Sequence, residues 1–243
     1  AQNKWYNQQN KLPVASQKID SLFKTIKAFS KKKLVSSNPT KQTIYAVSSA
    51  NTTISLQANK QTKLSFIIGK QGPTRNSNYL RFSQKNKVYL IEQPLEFIFN
   101  LDEKKWKDLS LLKINNPNVV KNLSLQVGKQ KLDLIRQENN WVLAPEKTTT
   151  KNASELNPLF EMFWFLNASD IMLASSVLPQ ETKLKKPSIK ITFGLKDAKK
   201  VDLIIGPEIK SEHYVAISTR KNFVYKITKP TYDYIYKTCK TLF

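Results

Sequence analysis

Apolar positions along the chain recur with two periods. Ile19, Leu22, Phe23, Ile26 and Phe29 stand three and four apart, which predicts a helix over 17–29 with one buried face. Leu156, Leu159, Phe160, Phe163 and Leu166 do the same and predict a helix over 153–166. Elsewhere apolar and polar residues alternate. Strands are predicted over 43–47, 53–56, 63–68, 79–82 and 87–91, and again over 188–193, 200–205, 213–218 and 222–227. Ile189, Ile191 and Phe193 alternate cleanly, so one face of that sheet should meet solvent. Residues 123–127 and 131–136 read as a hairpin turned at Gly128-Lys129-Gln130. Lys85-Asn86 and Arg220-Lys221-Asn222 stand where tight turns belong, and Asn tolerates positive φ.

The two series of elements match each other. Trp5-Tyr6, a following Pro13 and the first helix face parallel Trp141-Val142, Pro145 and the second. Leu64-Ser-Phe-Ile-Ile-Gly69 parallels Val201-Asp-Leu-Ile-Ile-Gly206, Asn78-Tyr79 parallels His213-Tyr214, and Val88-Tyr89 parallels Val224-Tyr225. Pro94 and Pro230 each open a closing helix. Apart from Pro13 and Pro145, which stand 132 residues apart, the offset stays between 135 and 138 residues by subtraction of these positions, a register that unrelated segments would not keep. The fold class is α+β: two tandem repeats of a mainly antiparallel sheet with helices packed on one face. The first repeat takes residues 1–110 and the second 111–243. Nothing before Trp5 matches the hairpin before Trp141, so the first copy reads as truncated at its N-terminus. Residues 101–117 should join the copies through a fixed junction packed by Trp106, Leu109 and Leu112.

Composition narrows the chemistry. The net charge is +22, but it comes from 36 Lys and only Arg75, Arg81, Arg136 and Arg220. Attraction to an anionic polymer or lipid surface follows from such charge. Sequence-specific nucleic-acid recognition, which favours the planar Arg fork, does not. The basic clusters are Lys31-Lys32-Lys33, Lys183/Lys185/Lys186 and Lys196/Lys199/Lys200, and the first follows a helix whose C-terminal dipole cations complement. The most apolar stretch, 159–178, is interrupted by Glu161, Asn167 and Asp170 and reads as a core helix rather than a membrane span. His213 and Cys239 are each the sole residue of their kind, which denies the chain a His/Cys metal set and a Cys-His or Ser-His nucleophile with support. His213 reads as structural, and since its counterpart is Asn78 the repeat asks nothing of it. Neither phosphate-cradling glycine pattern is present; Gly69 and Gly206 each end a strand, where a turn explains them. No catalytic residues, metal or cofactor are assigned. The polar loop 70–78, with Lys70, Arg75, Asn76 and Asn78, is the candidate contact surface.

Several short motifs carry a resemblance. They are Asn140-Trp141-Val142-Leu143 before Pro145, a helix ending in Asp170-Ile171-Met172, Leu184-Lys-Lys-Pro187 leading into 189–193, Ile204-Ile205-Gly206, Tyr214 and Val224-Tyr225. Their order resembles a bacterial family, domain-of-unknown-function family 4340, in two passes along the chain. The family's Tyr-Gly-Leu-Asp turn is altered here to Tyr45-Ala46-Val47 and Thr182-Lys183-Leu184. The resemblance implies a periplasmic or otherwise extracytoplasmic body, held by an N-terminal membrane anchor that would precede Ala1. It also implies partners in a membrane protein complex that includes ABC transporter subunits of the gliding-motility type. The expected function is that of a non-enzymatic accessory module of such a complex, with electrostatic binding to an anionic polymer or lipid surface as the alternative.

Overall fold

The structure is a computed structural model that describes residues 4–112, 114, 116–138, 140–144 and 150–243. The chain forms two compact units. One takes the residues up to Trp5 and Val14–Lys107; the other takes Tyr6–Pro13 and Asp108–Phe243. The division thus falls between Lys107 and Asp108, and the segment Tyr6–Pro13 joins the second unit.

In the first unit, helix α1 (Ser16–Ala28) precedes strands β1 (Lys33–Ser36), β2 (Thr53–Ala58), β3 (Gln61–Gln71), β4 (Asn78–Phe82) and β5 (Val88–Ile91), and a single turn of helix, α2 (Leu95–Ile98). The antiparallel sheet has the order β1-β5-β4-β3-β2. Leu22 and Ile26 of α1, with Phe29, cover one face through Phe66, Ile68, Leu80 and Ile91. On the other face Val47 joins Ile67 and Val88, with the Tyr45 and Tyr79 rings tilted at 50° and 4.6 Å apart.

In the second unit the elements are β6 (Val120–Val127), β7 (Gln130–Gln137), β8 (Asn140–Leu143), β9 (Thr150–Asn152), α3 (Ala153–Phe165), β10 (Asp170–Leu173), α4 (Pro179–Thr182), β11 (Ile189–Leu195), β12 (Lys200–Ile205), β13 (Glu212–Ile217), β14 (Phe223–Thr228) and α5 (Lys229–Lys240). The sheet order is β10-β14-β13-β12-β11-β6-β7-β8-β9. One core joins Leu156, Phe160 and Phe163 of α3, Ile235 and Cys239 of α5, and the sheet positions Leu125, Trp141, Ile191, Phe193 and Leu203.

The first five strands of this second order, β10-β14-β13-β12-β11, repeat the order of the whole first sheet. Register agrees as well: Tyr79 pairs with Leu90 and Leu80 with Tyr89, as Tyr214 pairs with Lys226 and Val215 with Tyr225. The α+β class and its antiparallel sheets stand as read from the sequence. The β6–β7 hairpin has no counterpart among the described residues of the first unit.

Several local expectations need correction. Residues 43–46 are turns and Val47 follows them in irregular structure, so 43–47 is not a strand. Lys33–Ser36 is an edge strand that the sequence did not announce, since Leu34 and Val35 are adjacent and show no alternation. Helix α3 stops at Phe165, and Asp170-Ile171-Met172 belong to β10. Trp5 is 44% exposed and in no strand, while Trp141 is 1% exposed at the sheet. Positive φ is found not at Asn86 or Asn222 but at Asn59 and Lys60, which turn the β2–β3 hairpin as a two-residue loop requires. Pro145 lies outside the described residues. At the junction, Trp106 Nε1 donates to Asn100 O at 2.6 Å within the first unit, while Leu109 and Leu112 pack on the core of the second.

Candidate functional site

A shared framework fixes the backbone where the candidate residues lie. Tyr45-Ala46-Val47 and Thr182-Lys183-Leu184 hold the same turn in the two units. Their central residues, Ala46 and Lys183, adopt left-handed φ of 55° and 50°. Each turn presses a carbonyl onto a sheet glycine. A Cβ on Gly69 would sit 2.4 Å from Tyr45 O, and one on Gly206 would sit 2.5 Å from Thr182 O. Close backbone approach, rather than the end of a strand, explains both glycines. In the first unit Lys70 N–H donates to Tyr45 O at 3.1 Å. The second unit has Pro207 there, which has no N–H to give.

The next residues in the pattern do equivalent work with different side chains. Asn78 Nδ2 donates to Gly69 O at 3.3 Å, and its Oδ1 accepts from Leu95 N–H at 2.8 Å, where α2 begins. His213 Nδ1 bonds Gly206 O at 3.0 Å. A carbonyl only accepts, so Nδ1 carries the proton and donates. The His213 ring stacks on Tyr232 at 3.7 Å, and its buried Nε2 has no hydrogen-bond partner among the described residues. The repeat therefore does ask something of His213: it caps the carbonyl of Gly206 as Asn78 caps that of Gly69.

The four candidate contact residues separate. Asn78 is buried and serves the framework. Arg75 and Asn76 stand exposed at the tip of the β3–β4 connection. Lys70 lines a cavity of about 430 Å³, with Ala46, Asn51, Glu96, Asn100 and Asp102 among the other walls. This cavity lies beside the one-turn α2, whose counterpart α5 in the second unit runs for 12 residues. Its one lysine faces two carboxylates, which suits a polar ligand but sets no strong sign of charge. Among the described residues no three His, Cys, Asp or Glu gather as a metal site would need.

Arg81, which corresponds to Ala216, is buried in the first unit and locks its turn. Its Nε donates to Val47 O at 2.7 Å, and Nη1 donates to Ser83 O and Lys85 O at 3.2 and 3.1 Å. In the second unit Arg220 Nη1 donates to Tyr225 Oη at 2.8 Å and to Ser110 O at 2.7 Å. Burial raises the Tyr225 hydroxyl pKa above its ordinary value, against the lowering effect of Arg220.

Two further surfaces of the first unit escape a reading of the sequence alone. A groove of about 670 Å³ runs between α1 and α2, lined by Lys18, Lys24, Lys27, Lys31 and by Phe97, which is 71% exposed. Lys18 Nζ lies 6.0 Å from the Phe97 ring, and among the described residues no carboxylate lines the groove. The available signal was charge segregation: residues 21–91 contain eleven Lys and two Arg but no Asp or Glu. Lys32 is spent otherwise, donating to Phe29 O at 3.4 Å and lying 5.4 Å from the Tyr89 ring. The second surface is the outer edge of β2, which pairs with β3 alone among the described strands.

Fold and surfaces define a duplicated α+β module whose copies share a framework and differ in what they leave open. The chain belongs to a domain of unknown function family, DUF4340, whose model matches residues 5–187. That match covers the first unit and the opening of the second, including both altered turns. No curated protein matches the chain.

Proposed function

We propose that this chain is a non-enzymatic, extracytoplasmic accessory module of a membrane-associated complex, one linked to an ABC transporter, and that it holds a protein partner through its first unit. The observation that supports this reading is the contrast between copies. Ile191 and Phe193 are fully buried beside β6, whereas Ile54 and Leu56 at the matching places are half-buried on an open edge. Phe97 and Leu101 add exposed apolar surface, 71% and 75% accessible, to the same unit. Purification of the tagged gene product from solubilised membranes is expected to retrieve integral membrane proteins. A monomer that retrieves none overturns the reading.

The lysine groove favours a second reading, an electrostatic binder of an anionic surface. Four lysines around an exposed phenylalanine, with no acid among them, match phosphate-bearing headgroups with an apolar layer beneath. Co-sedimentation with phosphatidylglycerol vesicles at low salt, lost as the salt rises, would support it. Equal sedimentation with phosphatidylcholine vesicles, or unchanged binding by a Lys18→Ala, Lys24→Ala double variant, counts against it.

A further inference from the structure

The second unit shows what occupies the place left open in the first. There β11 is flanked by β12 and by β6, with Ile191 opposite Leu125 and Phe193 opposite Leu123. Ile67 corresponds to Ile204, and their partners are Thr53 and Lys190, so Ile54 stands for Ile191 and Leu56 for Phe193. Side chains agree: Ser55 bonds Ser65 at 3.0 Å where Thr192 bonds Asp202 at 2.6 Å. The hairpin is the same object twice, once enclosed and once at an edge.

The free backbone of that edge can be assigned. Ile68 N–H donates to Thr52 O at 3.0 Å. Bonded pairs alternate along an antiparallel ladder. Ile54 and Leu56 therefore turn their N–H and C=O groups toward β3, and Thr53 and Ser55 turn theirs outward. Unpaired backbone beside a half-covered apolar strip is a template for one more strand.

We propose that the β2 edge receives an extended segment of a partner protein, antiparallel to β2, with leucine-sized side chains opposite Ile54 and Leu56 and acidic residues flanking them. This rests on the reading of the chain as a protein-binding module and adds the form of the ligand. The apolar spacing follows from Leu123-Ser124-Leu125 of β6, which fills the matching slot. The acidic character follows from charge: residues 21–91 hold thirteen basic side chains and no carboxylate, and Lys60 and Lys63 stand in and beside the β2–β3 turn. The same charge opposes pairing with a second copy, which would bring two chains of +22 edge to edge.

The test uses a fluorescent peptide with the 8-residue sequence of Val120–Val127 in which Lys121 and Asn122 are replaced by glutamate. Anisotropy at low salt should show saturable binding to the chain. Ser55→Pro removes one outward N–H and the Ser55–Ser65 side-chain bond but no backbone bond of the β3 ladder, and should weaken binding at least about tenfold. Ser55→Thr keeps the N–H and should bind as the parent does. A peptide with serine at both leucine places should not bind. Hydrogen exchange of β3 and β4 checks that both variants remain folded. The proposal is overturned if the parent does not bind, or if Ser55→Pro binds as well as the parent does. A dimer in sedimentation velocity that Ser55→Pro abolishes assigns the edge to a second copy and overturns it too. Membrane partners retrieved equally by Ser55→Pro overturn the edge and leave the module reading intact. Peptide binding by a chain that retrieves no partner supports the edge and overturns the module reading.

Discussion

Replacing Asn78 by alanine tests the framework most directly. The side chain is buried and makes two bonds, to Gly69 O at 3.3 Å and from Leu95 N–H at 2.8 Å. Alanine leaves the glycine carbonyl without its side-chain donor inside the core, at a cost of about 1–3 kcal/mol. Leu95 N–H loses less, about 1 kcal/mol, because it also contacts Gln93 O at 3.0 Å. The sum is a loss of about 2–4 kcal/mol in the first unit. The matching change, His213→Ala, removes one bond and a stacked ring but also removes the unpaired Nε2, so its cost should be smaller, about 1–2 kcal/mol. Two units need not unfold together, so one melting temperature would mix them. Native-state hydrogen exchange separates them, with amides of β3 and β5 reporting the first unit and those of β12 and β14 the second. A change below about 0.5 kcal/mol at β3 and β5 would refute the assignment of Asn78 to the framework. So would a loss spread equally over both units.

Other consequences follow from the same geometry. Gly69→Ala and Gly206→Ala each drive a Cβ against a turn carbonyl, at 2.4 and 2.5 Å, and should cost about 1–3 kcal/mol or more by denaturant titration. Gly128→Ala, at a φ of 58° with open space around it, should cost only about 1 kcal/mol. Arg81→Met strips donors from three carbonyls and should destabilise the first unit by about 2–4 kcal/mol, with faster exchange at Lys70 N–H as the local sign. Burial pushes the Cys239 thiol from 9.0 up to about 12, so maleimide at pH 8 should label it only after denaturant is added. Tyr225 is raised by burial as well. Groups with raised folded pKa values support folding fully below their unfolded values and lose that support as pH climbs. Stability should thus fall from about pH 9 upward in a pH series of unfolding midpoints.

The strands legible in the sequence were mostly those with an apolar-polar rhythm, because a buried face imposes it. What escaped was decided by contacts distant along the chain. Thr43-Ile44-Tyr45-Ala46-Val47 is rich in strand-forming types, yet it bends because Tyr45 O must meet Gly69 and Lys70 N–H and because Arg81 holds Val47 O. Ile171-Met172 continue an apolar run, but the helix before them ends and they pair with Tyr225 and Val224. Asn78 looked like a contact residue because it closes a polar loop; its partners are backbone groups 9 and 17 residues away, which no local pattern reveals. The lysine groove needs α1 beside α2, a juxtaposition of helices separated by a whole sheet in sequence. Lys70 was placed at a cavity by its strand position, while Arg75 and Asn76 share its loop and not its surroundings.

The altered turns show which property of the framework matters. A left-handed residue other than glycine costs about 1 kcal/mol or more, and both copies accept that cost, one with Ala46 and the other with Lys183. Asn78 and His213 reach corresponding carbonyls, Gly69 O and Gly206 O, through different chemistry. The geometry is thus held while the residues vary, as it would be if the turn served to place the sheet and its edge. Three differences between the copies bear on what is open. Arg81 fixes the first turn where Ala216 does nothing of the kind, α2 stops after one turn where α5 continues, and β2 lacks the cover that β6 gives β11. Each difference either stiffens or uncovers the first unit. A ligand that reads this protein should therefore discriminate between two nearly equivalent hairpins by the edge one of them leaves free, and the second unit is the closed control within the same molecule.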